Sequence, residues 1–160
     1  MAGILLLSWV LGYRINFSGS EPVGLWQVHA PAGPLHTGDY VSFCAPVAWY
    51  PFLQPGDCPN GAKPFLKQVA GVPGDRVEVS ESGVRINGRT LPDSSPLRHA
   101  ISVNVSLPQW RGVMVLPRET YWVYGTGWPR RSFDSRYWGP LPRSQVISIA
   151  RPVLVWASAH

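Results

Sequence analysis

Residues Phe65 to Leu91, FLKQVAGVPGDRVEVSESGVRINGRTL, decide the fold class. Phe65 to Ala70 is a strand pattern that ends in the turn Pro73-Gly74-Asp75. Arg76 to Ser80 alternates apolar and polar residues, a turn follows at Glu81-Ser82-Gly83, and Val84 to Ile86 returns, so this piece reads as a hairpin. Asn87-Gly88 then supplies the strongest two-residue hairpin turn, with Arg89 to Leu91 beyond it. Such dense strand-and-turn punctuation excludes a helix in this region.

The same pattern extends outward in both directions. Gly24 to Ala30, Tyr40 to Cys44, Gly112 to Leu116, Thr120 to Tyr124 and Val146 to Trp156 are further strand candidates. Pro92 to Pro108 is polar and irregular and reads as a surface loop, and no stretch sustains a 3.6-residue period. The chain has 160 residues with 16 Gly and 17 Pro, a breaker content that excludes a helix bundle. Charged residues are 14% against a typical share of about a quarter, so disorder driven by charge is excluded. The expectation is one all-β domain of short, coiled strands.

Net charge is +5, but the arginines are scattered and no basic run exceeds Arg130-Arg131. Nucleic acid is therefore not an expected partner, and an anionic lipid surface fits the charge better. Residues 1–13, MAGILLLSWVLGY, are apolar up to Arg14. As a helix they would span roughly 20 Å, short of the roughly 30 Å hydrocarbon core. A membrane anchor whose beginning is missing, a partly inserted segment and a buried strand all remain open, and the first is favoured. Cys44 and Cys58 flank APVAWYPFLQPGD, which has little regular structure of its own. Two unrelated thiols are one reading. A disulfide stapling this insert, in an oxidising compartment, is the favoured one.

No phosphate-binding glycine loop, no metal-binding histidine or cysteine spacing and no G-x-S-x-G elbow occurs, so no cofactor and no metal are expected. Three segments stand out together: Ser18 to Gly24 (SGSEPVG), Lys67 to Asp75 (KQVAGVPGD) and Ser132 to Gly139 (SFDSRYWG). Singly, each also reads as an ordinary loop, strand or turn. In this order and spacing they resemble the boxes of the type I signal peptidase family, from about Asn16 to the C-terminus. The serine box, of the form S-x-P-x-G-L-[WY], is similar to that of the TraF-type peptidases of conjugative plasmid transfer.

The resemblance implies a signal-peptidase-like, LexA-like coiled β-sheet fold with an N-terminal membrane segment, and a periplasmic peptidase domain over 14–160 carrying an insert at 44–58. It implies Ser20 as nucleophile, Lys67 as general base, Ser18 as the oxyanion-hole hydroxyl, Ser132 as the group that orients the lysine, and Asp134 and Arg136 as the brace of the third box. The partners it implies are inner-membrane lipid and a membrane-tethered pilin or preprotein, cleaved and in some relatives cyclised. Two positions depart from the family pattern. Gln68 stands where arginine is usual, and Thr126 to Arg131 replace the run that often precedes the third box.

The assigned chemistry is physically coherent. If residues 18–20 are extended, Ser18 and Ser20 share one face, so one attacks while the other donates to the oxyanion. Serine needs a base, and a neutral lysine serves. At its reference pKa of about 10.4 a lysine is neutral less than about 1% of the time at pH 8. Lowering that pKa to about 8 takes roughly 3 kcal/mol, within reach of desolvation. In a strand Lys67 shares its face with Phe65 and Val69, whereas Lys63, the other of only two lysines, sits by a turn and reads as solvated. Val23, Leu25 and Trp26 are expected to line apolar pockets, to dip into lipid or to pack as core. Two other functions compete: a housekeeping signal peptidase, and a catalytically silent β assembly module, which the intact Ser20 and Lys67 disfavour.

Overall fold

The computed structural model describes residues 11–45, 53–101, 103 and 105–157. The strands are β1 (Tyr13–Asn16), β2 (Val23–His29), β3 (Tyr40–Phe43), β4 (Phe65–Gly71), β5 (Arg76–Ser80), β6 (Gly83–Ile86), β7 (Arg89–Thr90), β8 (Gly112–Val115), β9 (Thr120–Tyr124), β10 (Leu141–Pro142) and β11 (Val146–Ala157). One short helix, α1 (Ser135–Trp138), lies between β9 and β10. The strands form a seven-stranded sheet in the order β1-β2-β11-β3-β4-β9-β10 and a four-stranded sheet in the order β7-β6-β5-β8. All the pairings are antiparallel.

The hairpins follow from turn chemistry. Ser80 pairs with Gly83 across Glu81-Ser82, and Ile86 pairs with Arg89 across Asn87-Gly88. Asn87 and Gly88 have φ of 50° and 80°, the left-handed pair that a tight hairpin turn of matching twist requires.

Strand β9 joins the two sheets. Tyr121 and Val123 pack with Val41, Phe43, Val69 and Leu141 of the first core. Trp122 points the other way and packs with Val77, Val79, Val84 and Ile86 of the second. Both faces of β9 are thus covered, which explains its unbroken apolar run YWVY.

The all-β expectation holds, and every strand expected from the sequence is present within a residue or two at each end. Three elements were not legible. Strand β10 is two residues long and α1 a single turn, both too short to leave a period. Strand β1 continues directly from the apolar N-terminal run. Residues 1–10 of the expected membrane segment 1–13 lie outside the described residues. Of the rest, Tyr13 pairs with Gln27 in the sheet and Gly12 O accepts from Val28 N–H at 2.9 Å. Among the described residues, no helix is long and apolar enough to cross a membrane.

Cys44 and Cys58 form a disulfide, 14 positions apart in sequence. It ties the end of β3 to the insert, of which residues 46–52 lie outside the described residues. Beyond them, Leu53 and Ala62 pack with Phe133 and Tyr137, so the insert rests on the third sequence box.

Closing a loop of about 15 residues stabilises a fold by roughly 3 kcal/mol in the chain-entropy model. Reduction, or the paired change Cys44→Ser with Cys58→Ser, is expected to lower the denaturant midpoint accordingly. An unchanged midpoint, or two alkylatable thiols in the purified protein, would contradict the staple.

Candidate active site

Ser20, Lys67 and Ser132 come from three distant parts of the chain and line one cavity of about 530 Å3. Lys67 lies on β4, opposite Val41 of β3. Its side chain is only 4% exposed although it ends in an amine. Lys67 Nζ donates to Ser20 Oγ at 2.8 Å and to the Leu66 carbonyl at 2.8 Å, and it lies 5.5 Å from the centre of the Phe65 ring. Burial drives its pKa below the ordinary lysine value, Glu21 and Asp134 push it up, and Arg136 lowers it again. The outcome is an amine that loses its proton more readily than a solvated lysine and points at a hydroxyl. That geometry can generate a serine nucleophile.

The segment that carries Ser20 is not extended, contrary to the expectation from the sequence. Residues 17–20 form a loop and turn between β1 and β2. Asn16 organises it: Asn16 Nδ2 lies within hydrogen-bond distance of the carbonyls of Ser18, Glu21 and Pro22, at 3.2, 3.2 and 3.0 Å, and Asn16 Oδ1 accepts from Ser18 N–H at 3.0 Å. The turn still brings Ser18 Oγ to 3.2 Å from Ser20 Oγ, with Ser18 exposed.

The third box wraps beneath the dyad. Asp134 caps α1, accepting from Arg136 N–H at 3.2 Å, and also accepts from Gly125 N–H at 3.0 Å. Arg136 forks onto both oxygens of the same carboxylate, Nε at 2.8 Å and Nη2 at 2.9 Å, with neither side chain exposed. Its Nη2 also donates to Pro129 O at 2.5 Å and Ser132 O at 3.2 Å. The pair therefore holds the backbone from Pro129 to Asp134 in place. Ser132 is buried in the cavity wall, yet its Oγ makes no hydrogen bond, to Lys67 or to any other described residue. It sits so close to β9's end that a Cβ on Gly125 would lie 2.1 Å from Ser132 Oγ.

Val23, Leu25 and Trp26 do not line the cavity. Trp26 is core, 1% exposed, edge-on to Tyr40 and donating to Pro22 O. The apolar wall comes instead from Ile15, Phe17, Phe65 and Phe133. Lys63 is exposed and hydrogen-bonded to Gln54, as expected of a solvated lysine, but it lines the mouth together with Arg130 and Arg131. Among the described residues, no carboxylate lines this cavity. Among the described residues, no cluster of side chains suited to a metal ion is present.

Sequence reading missed Asn16, Glu21, Thr126, Gly125 and Gly127. Glu21 is fully buried next to Ser20 in the chain; Thr126 donates to its carboxylate from N–H at 3.2 Å and from Oγ1 at 2.7 Å. Gly127 N–H donates to Ser20 O at 3.0 Å. The one available signal was a carboxylate wedged between Ser20 and Pro22.

The family model "Signal peptidase, peptidase S26" matches residues 2–156. The chain belongs to this family. It is a serine peptidase of the signal peptidase type, in which a Ser/Lys dyad is usual. The chain is similar to "Conjugal transfer protein TraF" of Agrobacterium tumefaciens, 38% identical over 91% of this chain and 84% of that protein. It is also similar to "Plasmid transfer protein TraF" of Escherichia coli, 32% identical over 93% of this chain and 86% of that protein. Among solved structures, a signal peptidase I from Enterococcus faecalis is 21% identical, covers 74% of this chain and 98% of its own, and gives a TM-score of 0.43.

Gly125→Ala is expected to disrupt this S26 peptidase at its centre. The added methyl would lie 2.1 Å from Ser132 Oγ and 2.4 Å from Ser132 Cβ, both held by the braced third box. Overpacking of this kind costs about 1–3 kcal/mol. The denaturant midpoint should fall and turnover should fall with it; a variant matching the parent in both would show that the third box yields freely.

Proposed function

We propose that this protein is a membrane-anchored serine endopeptidase of conjugative plasmid transfer that cleaves a pilin precursor on the periplasmic side of the inner membrane. The observation that carries this reading is the 2.8 Å contact between a buried Lys67 amine and Ser20 Oγ. The TraF relatives, matched along most of their length, favour conjugation over a general export role. The disulfide supports an oxidising compartment. The exposed apolar side chains Ile15 and Phe17 beside the site suit a substrate that arrives along a lipid surface.

In this reading, neutral Lys67 takes the Ser20 hydroxyl proton as Oγ bonds to the scissile carbonyl carbon. Ser18 Oγ–H and the Ser20 N–H donate to the oxyanion. The proton passes to the leaving amine as the C–N bond breaks, which leaves an acyl ester on Ser20. A second nucleophile, water or the pilin's own terminal amine, then gives its proton to Lys67 and displaces Ser20, which recovers its hydrogen. Ser132 is the nearby hydroxyl available to hold the amine once it is charged. Asp134 and Arg136 keep the backbone around Ser132 fixed.

Ser20→Ala and Lys67→Ala are each expected to reduce cleavage of a pilin precursor by at least roughly a thousandfold, and the double variant should be no worse than either, because the two act as a unit. Activity should rise with pH through an apparent pKa below the ordinary lysine value, since only the neutral amine is a base. Robust cleavage by Lys67→Ala would refute the dyad. Efficient cleavage of many unrelated preproteins, with the pilin precursor not preferred, would move the assignment to a housekeeping signal peptidase.

The fate of the acyl ester is read by intact-mass spectrometry of the mature pilin. A terminal amine held near the ester competes with water through its effective concentration. The cyclic product would be one water, about 18 Da, lighter than the linear chain. A linear product alone would assign the enzyme to hydrolysis.

A further inference from the structure

We propose that Glu21 is a positioning residue of the dyad: its buried carboxyl pins the nucleophile's turn to the loop after β9, and its charge holds back the lysine base. The inference rests on the dyad reading above and adds a residue outside it. Glu21 follows Ser20 directly and is not exposed at all. A buried carboxyl without partners would be strongly destabilising. This one accepts from both the N–H and the hydroxyl of Thr126. Two further contacts secure the same place: Gly127 N–H on Ser20 O, and Asn16 Nδ2 on Glu21 O. Residue 127 has no room for a side chain, because a Cβ there would lie 2.9–3.0 Å from the Glu21 backbone. The nucleophile's turn and the 125–127 loop are thus clasped together from both sides, with the carboxyl inside the clasp.

The charged groups facing this carboxyl come from several elements. Among the described residues, Lys67 of β4 is the cation that favours its ionisation, while Asp134 before α1 opposes it. Tyr40 of β3 faces both Glu21 and Thr126. Arg136 of α1 also acts on Lys67 and disfavours its charge. Burial raises the Glu21 carboxyl to about 7, with Lys67 and the Thr126 bonds pulling the other way. Above that pH the carboxyl is charged, and a charged Glu21 stabilises the ammonium form of Lys67. The ammonium is the form that cannot take the serine proton. Glu21 therefore fixes the geometry of Ser20 and, by its charge, moves the onset of base catalysis to higher pH.

Glu21→Gln separates the two roles. The amide keeps an acceptor for Thr126 N–H and a group that can bond to its hydroxyl, but it removes the charge. The test is kcat/KM against pH for the full-length protein in lipid vesicles, with a pilin-precursor substrate, for Glu21→Gln, Glu21→Ala and Thr126→Val. In Glu21→Gln the alkaline limb should move down by roughly one pH unit, the lower end of the effect of a nearby opposite charge. Its plateau should fall less than that of Glu21→Ala, where the clasp is lost. Thr126→Val should lower the plateau while Glu21 keeps its charge. A Glu21→Gln limb that coincides with the parent's would overturn the inference even if Glu21→Ala fails to fold. Should Lys67→Ala remain active, the dyad reading itself falls; an inactive Lys67→Ala with an unmoved Glu21→Gln limb refutes Glu21's role alone.

Discussion

A lysine amine kept out of water against a serine hydroxyl is the constraint around which this molecule is arranged. Ser20 lies before β2 and Lys67 on β4, and β11 and β3 intervene in the sheet order. In a flat sheet, β2 and β4 would stand about 14 Å apart. The 17–22 loop and the Lys67 side chain close that gap to a 2.8 Å contact. The loop would not hold that position alone. Asn16 gathers its carbonyls on one side, and Thr126 and Gly127 clasp it on the other.

Burial of one amine requires a rigid surround, and the third box supplies it with another buried ion pair. Asp134 and Arg136 are both fully buried, and each finds several polar partners, although Arg136 Nη1 makes no hydrogen bond among the described residues; such partners offset the cost of burying the pair. Removing one member would leave an uncompensated charge, so the pair acts as an all-or-none brace. What it braces is the wall of the cavity: Ser132, Phe133 and, through Phe133 and Tyr137, the disulfide-stapled insert. The small residues Gly125 and Gly127 are part of the same device, since each gives up its side chain so that Ser132 or the Ser20-Glu21 backbone can approach. Stability and chemistry therefore share residues here.

Much of this was legible in the chain. Alternation in RVEVS, the Asn87-Gly88 turn and the Pro73-Gly74-Asp75 turn act locally, and local chemistry survives in the structure. The three boxes named the residues that meet in the cavity, and the cysteine pair named its own bond. The conformation of residues 17–20 was not legible. An extended segment and a turn both place Ser18 near Ser20, and only the contacts from Asn16 and the 125–127 loop select the turn. Trp26 was equally ambiguous, because an apolar residue four positions after a proline reads the same whether it lines a pocket or packs edge-on to Tyr40.

The sequence by itself determined the β character, the hairpin turns, the family and which side chains to look for in the site, because each rests on neighbours a few residues apart or on a short motif. Only the tertiary structure decided how far Lys67 is buried, which wall faces the substrate, and that Glu21 stands inside the site. Those are matters of desolvation and field, and both are summed over groups brought together from β3, β4, the loop after β9 and α1. No stretch of chain carries that sum, so no reading along the chain can recover it.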